Sequence, residues 1–334
     1  MKIAIFSELE WAFGRIAKNV QRHSRYEIDV VDWSRYHDQQ TFTLCDLVYV
    51  PEPDTKPVFC SMYPGVDPRR VVFGAHSLVH FVSNDFGSPM RHRTVTAAEV
   101  TEKLQLTPQA VEWLNRNATV IGCVSEELMT VLGRQGRFTP VLTSCGVEDS
   151  CVDESLIAPP RRREGQRLRI VFPYRRDFTG GHRYDAKRSY LIRELEDSIK
   201  PFADMIYLPH QMSLKDLDAW YRQVDGDFVV CLSHSEGNPF SIIEGSGRGL
   251  AILSTRVGVA PEIVRDGETG ILLSAHDPAD IIDEATRKLR ALSHTTVAEM
   301  KRAALTESDA RWRWSKKVPL WDAFFKRTHL ALGI

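Results

Sequence analysis

Residues 227–244 read DFVVCLSHSEGNPFSIIE, and their order decides the fold. A Val-rich apolar run ends at Ser233, a Gly237-Asn238-Pro239 turn follows, and helical spacing starts near Ser241. That is a buried strand, a loop at its carboxyl end and a helix whose first turn faces the loop. In an open parallel sheet, ligands bind at such a place. An acid stands on each side of the turn, Glu236 before it and Glu244 about one turn into the helix.

The same rhythm extends outward. RLRIVFPY (167–174), MIYLP (205–209), AILSTRV (251–257) and GILLS (270–274) read as strands, with helices expected over 187–199 and 214–224. In the first half KIAIF (2–6), EIDVVDW (27–33), DLVYV (46–50), VVFGA (71–75), ATVIGCV (118–124) and PVLTSCG (140–146) read as strands. GRIAKNVQRH, TAAEVTEKLQL and PQAVEWLNRN carry helical spacing between them. Short runs rich in Val and Ile suit strands covered on both faces. Their alternation with helices implies an α/β chain with parallel sheets.

At 334 residues the chain is long for one core, so two domains are expected. The Pro- and Arg-rich LIAPPRRREGQR (156–167) suits an exposed linker. The expected organisation is a first α/β domain over 1–155, a second over 165–308, and a C-terminal helix over 309–334 packing back across the junction. In that tail, Trp314, Val318, Trp321 and Phe325 fall on one helical face. They are read as core, with a membrane or partner surface as the other reading. Pro319 is expected to kink the helix or sit in its first turn. Residues 51–70, rich in Pro and Asp, read as an irregular connection.

The formal net charge is −1, so no global basic field recruits nucleic acid. No apolar run approaches the roughly 18–20 residues that span a bilayer. The N-terminal MKIAIFSELEW reads as a buried strand and not as a secretory signal. The six cysteines form no C-x-x-C pair, as for reduced thiols in a cytoplasmic protein, although a Cys145–Cys151 bridge stays open. Without a signal peptide, Asn117-Ala118-Thr119 carries no weight as a glycosylation acceptor.

The residues of the turn suggest a chemistry. A helix N-terminus offers free N–H groups and a positive dipole end, which suit a diphosphate. Gly237 lets the backbone approach a ligand closely. Glu244 can accept bonds from a ribose diol, and Glu236 faces whatever lies beyond the phosphates. The competing reading makes Glu236 a solvated loop acid and Glu244 the capping-box partner of Ser241. In the first half, SELEWAFGRIAKN (7–19) is a strand-to-helix loop with one glycine, Gly14. It lacks G-x-G-x-x-G, which disfavours a dehydrogenase-type dinucleotide site. His76 and His80 follow the strand 71–75; four residues apart, they lack a third metal ligand. No Asp-x-Asp pair stands at a strand end, and no metal is expected. His234 precedes Glu236 in the loop.

The segment 227–273 resembles the donor-binding signature of retaining GT-B glycosyltransferases of the family 4 type, the glycosyl transferases group 1. Glu236, seven residues, Glu244, then GSGRGLAILST, VGVAPEIV and DGETGILL stand here in that family's order. More faintly, ATVIGCVSEELMTVL with TSCGVEDS, and RWSKKVPLWDAFF, are similar to its first-domain close and its C-terminal helix. Cys145 stands where the family has Asn, and Glu148 where it has Asp.

The resemblance implies two Rossmann-like domains facing across a cleft, with a nucleotide-sugar donor held mainly by the second. It assigns Glu244 to the ribose, Glu236 to the transferred sugar, and the backbone of Asn238, Pro239, Phe240 and Ser241 with Gly237 to the phosphates. Arg175 or Arg176 with Lys187 would neutralise the diphosphate. The segment TGGHRYDA lengthens the usual gap before Lys187, and Arg183 is its alternative. The Gly14 loop would approach the donor phosphates and the acceptor, and His76 the transferred sugar.

The implied reaction is sugar transfer with retention at the anomeric carbon, without metal or other cofactor, to a glycan, lipid-linked or small-molecule acceptor. The expected setting is cytoplasmic, with room for peripheral contact at the inner face of a membrane; a nucleic-acid acceptor is not expected. The alternatives are a nucleotide-sugar epimerase or hydrolase, or a non-catalytic binding protein, on the same scaffold.

Overall fold

The computed structural model describes residues 1–10, 12–35, 37–77, 106–152, 166–177, 187–210 and 212–334. The chain divides into two compact units, Met1–Cys145 with Trp314–Ile334, and Gly146–Arg313. The first division thus falls at 145–146, before the expected boundary at 155. The expected linker at 156–167 lies almost wholly outside the described residues.

In the first unit six strands among the described residues form one sheet: β1 (Lys2–Ser7), β2 (Glu27–Asp32), β3 (Leu47–Val50), β4 (Val71–Ala75), β5 (Val120–Cys123) and β6 (Thr139–Leu142). Their order is β2-β1-β3-β4-β5-β6 and every pairing is parallel, with Ile3 opposite Ile28 on one side and Leu47 on the other. β3 and β4 are buried along their whole length, as their uninterrupted apolar runs require. Up to residue 145, the α-helices among the described residues of this unit are α1 (Ala12–His23), α2 (Gln40–Thr43), α3 (Thr55–Met62), α4 (Pro108–Asn117) and α5 (Glu126–Gly133).

Helix α3 corrects the expectation of an irregular connection over 51–70. Its Pro57 sits in the first turn, where a missing N–H costs nothing. Phe59 anchors it in an aromatic cluster, edge-on to Phe6 and Phe42 and tilted against Tyr63, with those ring centroids 4.9–5.1 Å from its own. Two turn-forming residues, Pro53 and Asp54, hide this helix from a reading by composition.

The same helix buries a charge. Lys56 is 6% exposed, donates to the Asn117 carbonyl at 2.8 Å and lies 5.7 Å from the Phe73 ring centroid. Burial pushes its ammonium down to about 8, from 10.5 in the open chain. Below pH 8 both states hold the proton; between 8 and 10.5 the unfolded chain keeps a proton that the folded chain has released, so stability rises with pH. At about 1.4 kcal/mol per pH unit the gain approaches 3 kcal/mol. Buried Cys123 and Cys145, raised by desolvation, act oppositely above pH 9, where only the unfolded thiols ionise. Comparison with Lys56→Met cancels their part. Denaturant titrations at pH 7.5 and 10.5 should therefore show wild type gaining on Lys56→Met by about 3 kcal/mol; an unchanged difference would refute the buried-charge account.

The second unit holds β7 (Leu168–Phe172), β8 (Ala203–Tyr207), β9 (Phe228–Cys231), β10 (Ala251–Ser254) and β11 (Gly270–Leu272), again all parallel, in the order β11-β10-β9-β7-β8. Its α-helices among the described residues are α6 (Ser189–Ile199), α7 (Leu214–Gln223), α8 (Phe240–Gly247), α9 (Ala260–Ile263), α10 (Pro278–Arg290) and α11 (His294–Glu307). The chain leaves β7 towards β8 on one side and resumes at β9 on the other, so the strand order reverses between β7 and β9. Loops leaving the carboxyl ends of those neighbours part at this point and leave a crevice, the ligand position of open α/β sheets.

After a π-helical turn at Ser308–Trp312, α12 (Trp314–Leu332) returns to the first unit. It packs on α1, β5 and β6. Trp314, Val318, Trp321 and Phe325 are fully buried, which settles the stripe as core. Pro319 lies in the second turn, not the first, because the helix starts at Trp314. All six cysteines are free thiols. No helix among the described residues is long and apolar enough to cross a membrane.

Candidate active site

The loop between β9 and α8 is held open by specific contacts. The Thr255 hydroxyl, just past β10, donates to the Ser233 carbonyl at 2.7 Å, and the Thr255 amide donates to the Cys231 carbonyl at 3.0 Å. Val259 donates its N–H to the Gly237 carbonyl at 3.1 Å. Gly258 makes this approach possible. Its φ is +51°, and a Cβ there would lie 2.2 Å from the Gly237 oxygen and 2.9 Å from the Glu236 oxygen. The Gly-x-x-Pro-Glu stretch is thus the backbone shelf on which the turn rests.

Helix α8 starts after Pro239, the N-cap residue, whose side chain makes no capping bond. That removes the capping-box reading: Ser241 is the second helical residue and Glu244 the fifth, both buried. The small residues that follow let the helix lie close to its neighbours. A Cβ on Gly245 would meet Val229 of β9 at 2.6 Å, and one on Gly247 would meet Val147 at 2.7 Å. Arg248 closes the helix by donating to the Cys151 carbonyl at 2.6 Å and by pairing with Asp218.

Glu236 is the centre of the site. Its Oε1 accepts from Lys187 Nζ at 2.5 Å and from the Ser233 hydroxyl at 2.7 Å. Lys187 comes from beyond β7, Glu236 from beyond β9, so their meeting marks the crevice at the strand-order reversal. The Lys187 ammonium also lies 5.6 Å from the ring centroid of Tyr174. Burial opposes its charge, but the Tyr174 and Glu236 oxygens outweigh that, and its pKa lies above the ordinary lysine value. Tyr174 is itself raised, chiefly by burial. Both polar atoms of the Asn238 side chain are buried and have no hydrogen-bond partner among the described residues.

Arg175 and Arg176 do not join this group. Arg175 pairs with Asp177 at 3.1 Å, and Arg176 with Glu196 at 3.0 Å while lying 5.9 Å from the Tyr207 ring centroid. Both are exposed. Arg183 and His80 lie outside the described residues. The family resemblance singled out Lys187, with Arg183 as its alternative, but missed Ser233, Tyr174 and Arg188, whose guanidinium reaches His234 Nδ1 at 2.5 Å. The signal available for the first two was their place at the carboxyl ends of β9 and β7.

In the first unit, His76 follows β4 and its Nε2 lies 3.0 Å from the Tyr49 hydroxyl of β3; the Phe13 ring stands edge-on at 4.9 Å. Burial raises the Tyr49 phenol well above its usual range and keeps it neutral. Gly74 leaves room for this bond, since a Cβ there would lie 2.2 Å from the Tyr49 oxygen. Gly14 sits in the first turn of α1, where a Cβ would meet the Glu8 and Leu9 carbonyls at 2.4–2.5 Å. Its glycine is thus required by the tight strand-to-helix turn. Among the described residues no three His, Cys, Asp or Glu side chains are grouped to hold a metal ion. A groove of about 750 Å³ along α10, lined by Ser274, Asp280, Asp283 and Arg287, includes none of these residues.

Residues 178–291, which contain Lys187, Glu236 and Glu244, match the family model described as Glycosyl transferases group 1. The second unit carries a group 1 glycosyl transferase domain. Over 94 residues the chain is 33% identical to a D-inositol 3-phosphate glycosyltransferase of Thermobifida fusca, covering 28% of this chain and 21% of that protein. Over 133 residues it is 30% identical to the protein of that name from Mycobacterium bovis, covering 40% of this chain and 27% of the relative. The chain thus spans about a fifth to a quarter of the length of these curated relatives.

Solved structures extend the likeness of fold beyond the group 1 domain. A sucrose-phosphate synthase from Thermosynechococcus elongatus superposes with a TM-score of 0.65 at 12% identity, covering 99% of this chain and all of that one (100%). Anabaena Alr3699/HepE in complex with UDP and glucose gives 0.64 at 13% identity, covering 98% and 99%. Two parallel Rossmann-like sheets in one chain, the second overlapping the group 1 match from β8 to β11, are the GT-B architecture.

Proposed function

We propose that this chain is a glycosyltransferase that takes a sugar from a nucleoside-diphosphate donor and transfers it with retention of anomeric configuration, without a metal ion. The observation that carries the reading is the Lys187–Glu236 pair beside the N-terminus of α8, with Glu244 on that helix. A departing diphosphate needs positive charge and N–H donors, which Lys187 and the first turn of α8 supply. Glu236 accepts from sugar hydroxyls and Glu244 from the ribose diol. The Asn238 amide, without a hydrogen-bond partner among the described residues, offers one further donor and acceptor to the ligand.

In the transfer, the bond from the anomeric carbon to the diphosphate breaks and its electron pair leaves with the diphosphate oxygen. The acceptor oxygen bonds that carbon on the same face, and the acceptor's proton passes to the departing diphosphate. The protein's part is positioning and charge stabilisation. That HepE was solved with UDP and glucose favours a uridine donor.

Titration calorimetry with UDP, GDP, ADP and their sugar conjugates tests the donor site. One nucleotide should bind, in EDTA as well as in buffer, and Glu244→Ala should weaken it roughly 10- to 100-fold through lost charge-assisted bonds. Absence of binding across the panel would overturn the reading. An inverted product anomer, or release of sugar to water as the main reaction, would overturn retention or transfer.

A further inference from the structure

Arg188 is the one non-glycine residue with positive φ among the described residues, at +47°. It is also the N-cap residue of α6, and its side chain makes no capping bond. Both backbone circumstances favour glycine or a short polar residue. A long arginine here carries steric strain that its backbone position does not explain. The side chain supplies the explanation: the guanidinium is buried and reaches across to His234 Nδ1 at 2.5 Å.

We propose that Arg188 is a positioning residue of the donor site, clasping the β9–α8 loop through His234. Lys187 and Arg188 together then hold the loop at two points, Lys187 on Glu236 and Arg188 on His234, two residues apart. The left-handed turn at Arg188 lets adjacent side chains from one segment reach both. The clasp also fixes a tautomer. A guanidinium has only donors, so Nδ1 must accept and the neutral ring carries its proton on Nε2. His234 is thereby presented in a single hydrogen-bonding form, next to Ser233 and Glu236 in the same loop. Its effect on catalysis presupposes the donor-site reading; its effect on His234 does not.

Arg188→Gly separates side chain from backbone, because glycine suits the left-handed conformation. The melting temperature of this variant should equal or exceed that of wild type. In nitrogen-15 spectra of labelled histidine, assigned with His234→Ala, wild type should show the Nε2–H tautomer at His234 and Arg188→Gly a tautomer mixture. With UDP-sugar donor, kcat/KM should fall roughly 10- to 100-fold, the scale on which misplaced groups lose rate. His234→Ala and the double variant should fall equally, since the two side chains act as one unit. Arg188→Lys, which keeps a donor, should recover part of the loss.

An unchanged His234 spectrum in Arg188→Gly would overturn the clasp, as would a melting temperature several degrees lower, the mark of a plain structural anchor. Full activity in His234→Ala beside a lost activity in Arg188→Gly would overturn it too, by making Arg188 a direct ligand of the donor. If wild type turned over no nucleotide sugar, the donor-site reading would fall while the tautomer spectra still decided the clasp.

Discussion

Replacing Glu236 by alanine is expected to lower kcat for sugar transfer by roughly 10²–10³-fold, the cost of losing one preorganised polar group at a reacting centre. The geometry concentrates three functions on this carboxylate. It accepts from Lys187, accepts from Ser233, and under the proposed reaction accepts from the sugar. Because Glu236 is assigned to the sugar and not to the nucleotide, the free nucleoside diphosphate should bind Glu236→Ala about as well as wild type. Glu244→Ala should show the opposite pattern, with nucleotide affinity lost first. Glu236→Gln keeps an acceptor for the Ser233 hydroxyl but removes the charge facing Lys187, so its kcat should lie between the two. Calorimetry with the free nucleotide, set beside initial rates with the full donor, separates the two glutamates. Equal loss of nucleotide binding in both variants would mean that Glu236 only anchors Lys187.

The strands were legible because each is a short run carrying Val or Ile, too short for a helix of ordinary length. The loop 232–239 was legible as a candidate site because a strand end, a glycine and a helix start are local features. What the sequence hid was pairing at a distance. Lys187 and Glu236 stand 49 residues apart, and only the parallel register of β7 with β9 makes them neighbours. Arg188 was invisible as anything but one basic residue in a basic segment, since its left-handed backbone leaves no mark in composition. Arg175 and Arg176 show the mirror image. They stand directly after β7, yet Asp177 and Glu196 pair with them on the exposed side. The capping-box alternative failed on one residue: Pro239 takes the cap position and moves Ser241 inside the helix.

The largest loss of stability is expected from Trp321→Ala, about 4 kcal/mol, the ordinary cost of emptying a large aromatic from a core. Trp321 is fully buried on α12, edge-on to Tyr49 at 5.4 Å and tilted against Phe325 at 6.3 Å. Its indole N–H donates to the Ser144 carbonyl at 3.0 Å, so truncation also strands a buried acceptor. Trp321→Phe keeps most of the ring packing and loses only that bond, at about 1–2 kcal/mol. All of these partners lie in the first unit. The loss should therefore appear as faster hydrogen exchange in β3, β5 and α12, with the amides of β9 and β10 little affected. The same substitution reaches the candidate site of that unit through one residue. Tyr49 packs against Trp321 with its ring and bonds His76 with its hydroxyl, so a cavity beside the ring frees the hydroxyl to move. His76 should accordingly lose its fixed orientation in Trp321→Ala and keep it in Trp321→Phe, which histidine side-chain spectra would resolve. A His76 signal unchanged in the alanine variant would show that the Tyr49–His76 bond is held without the C-terminal helix.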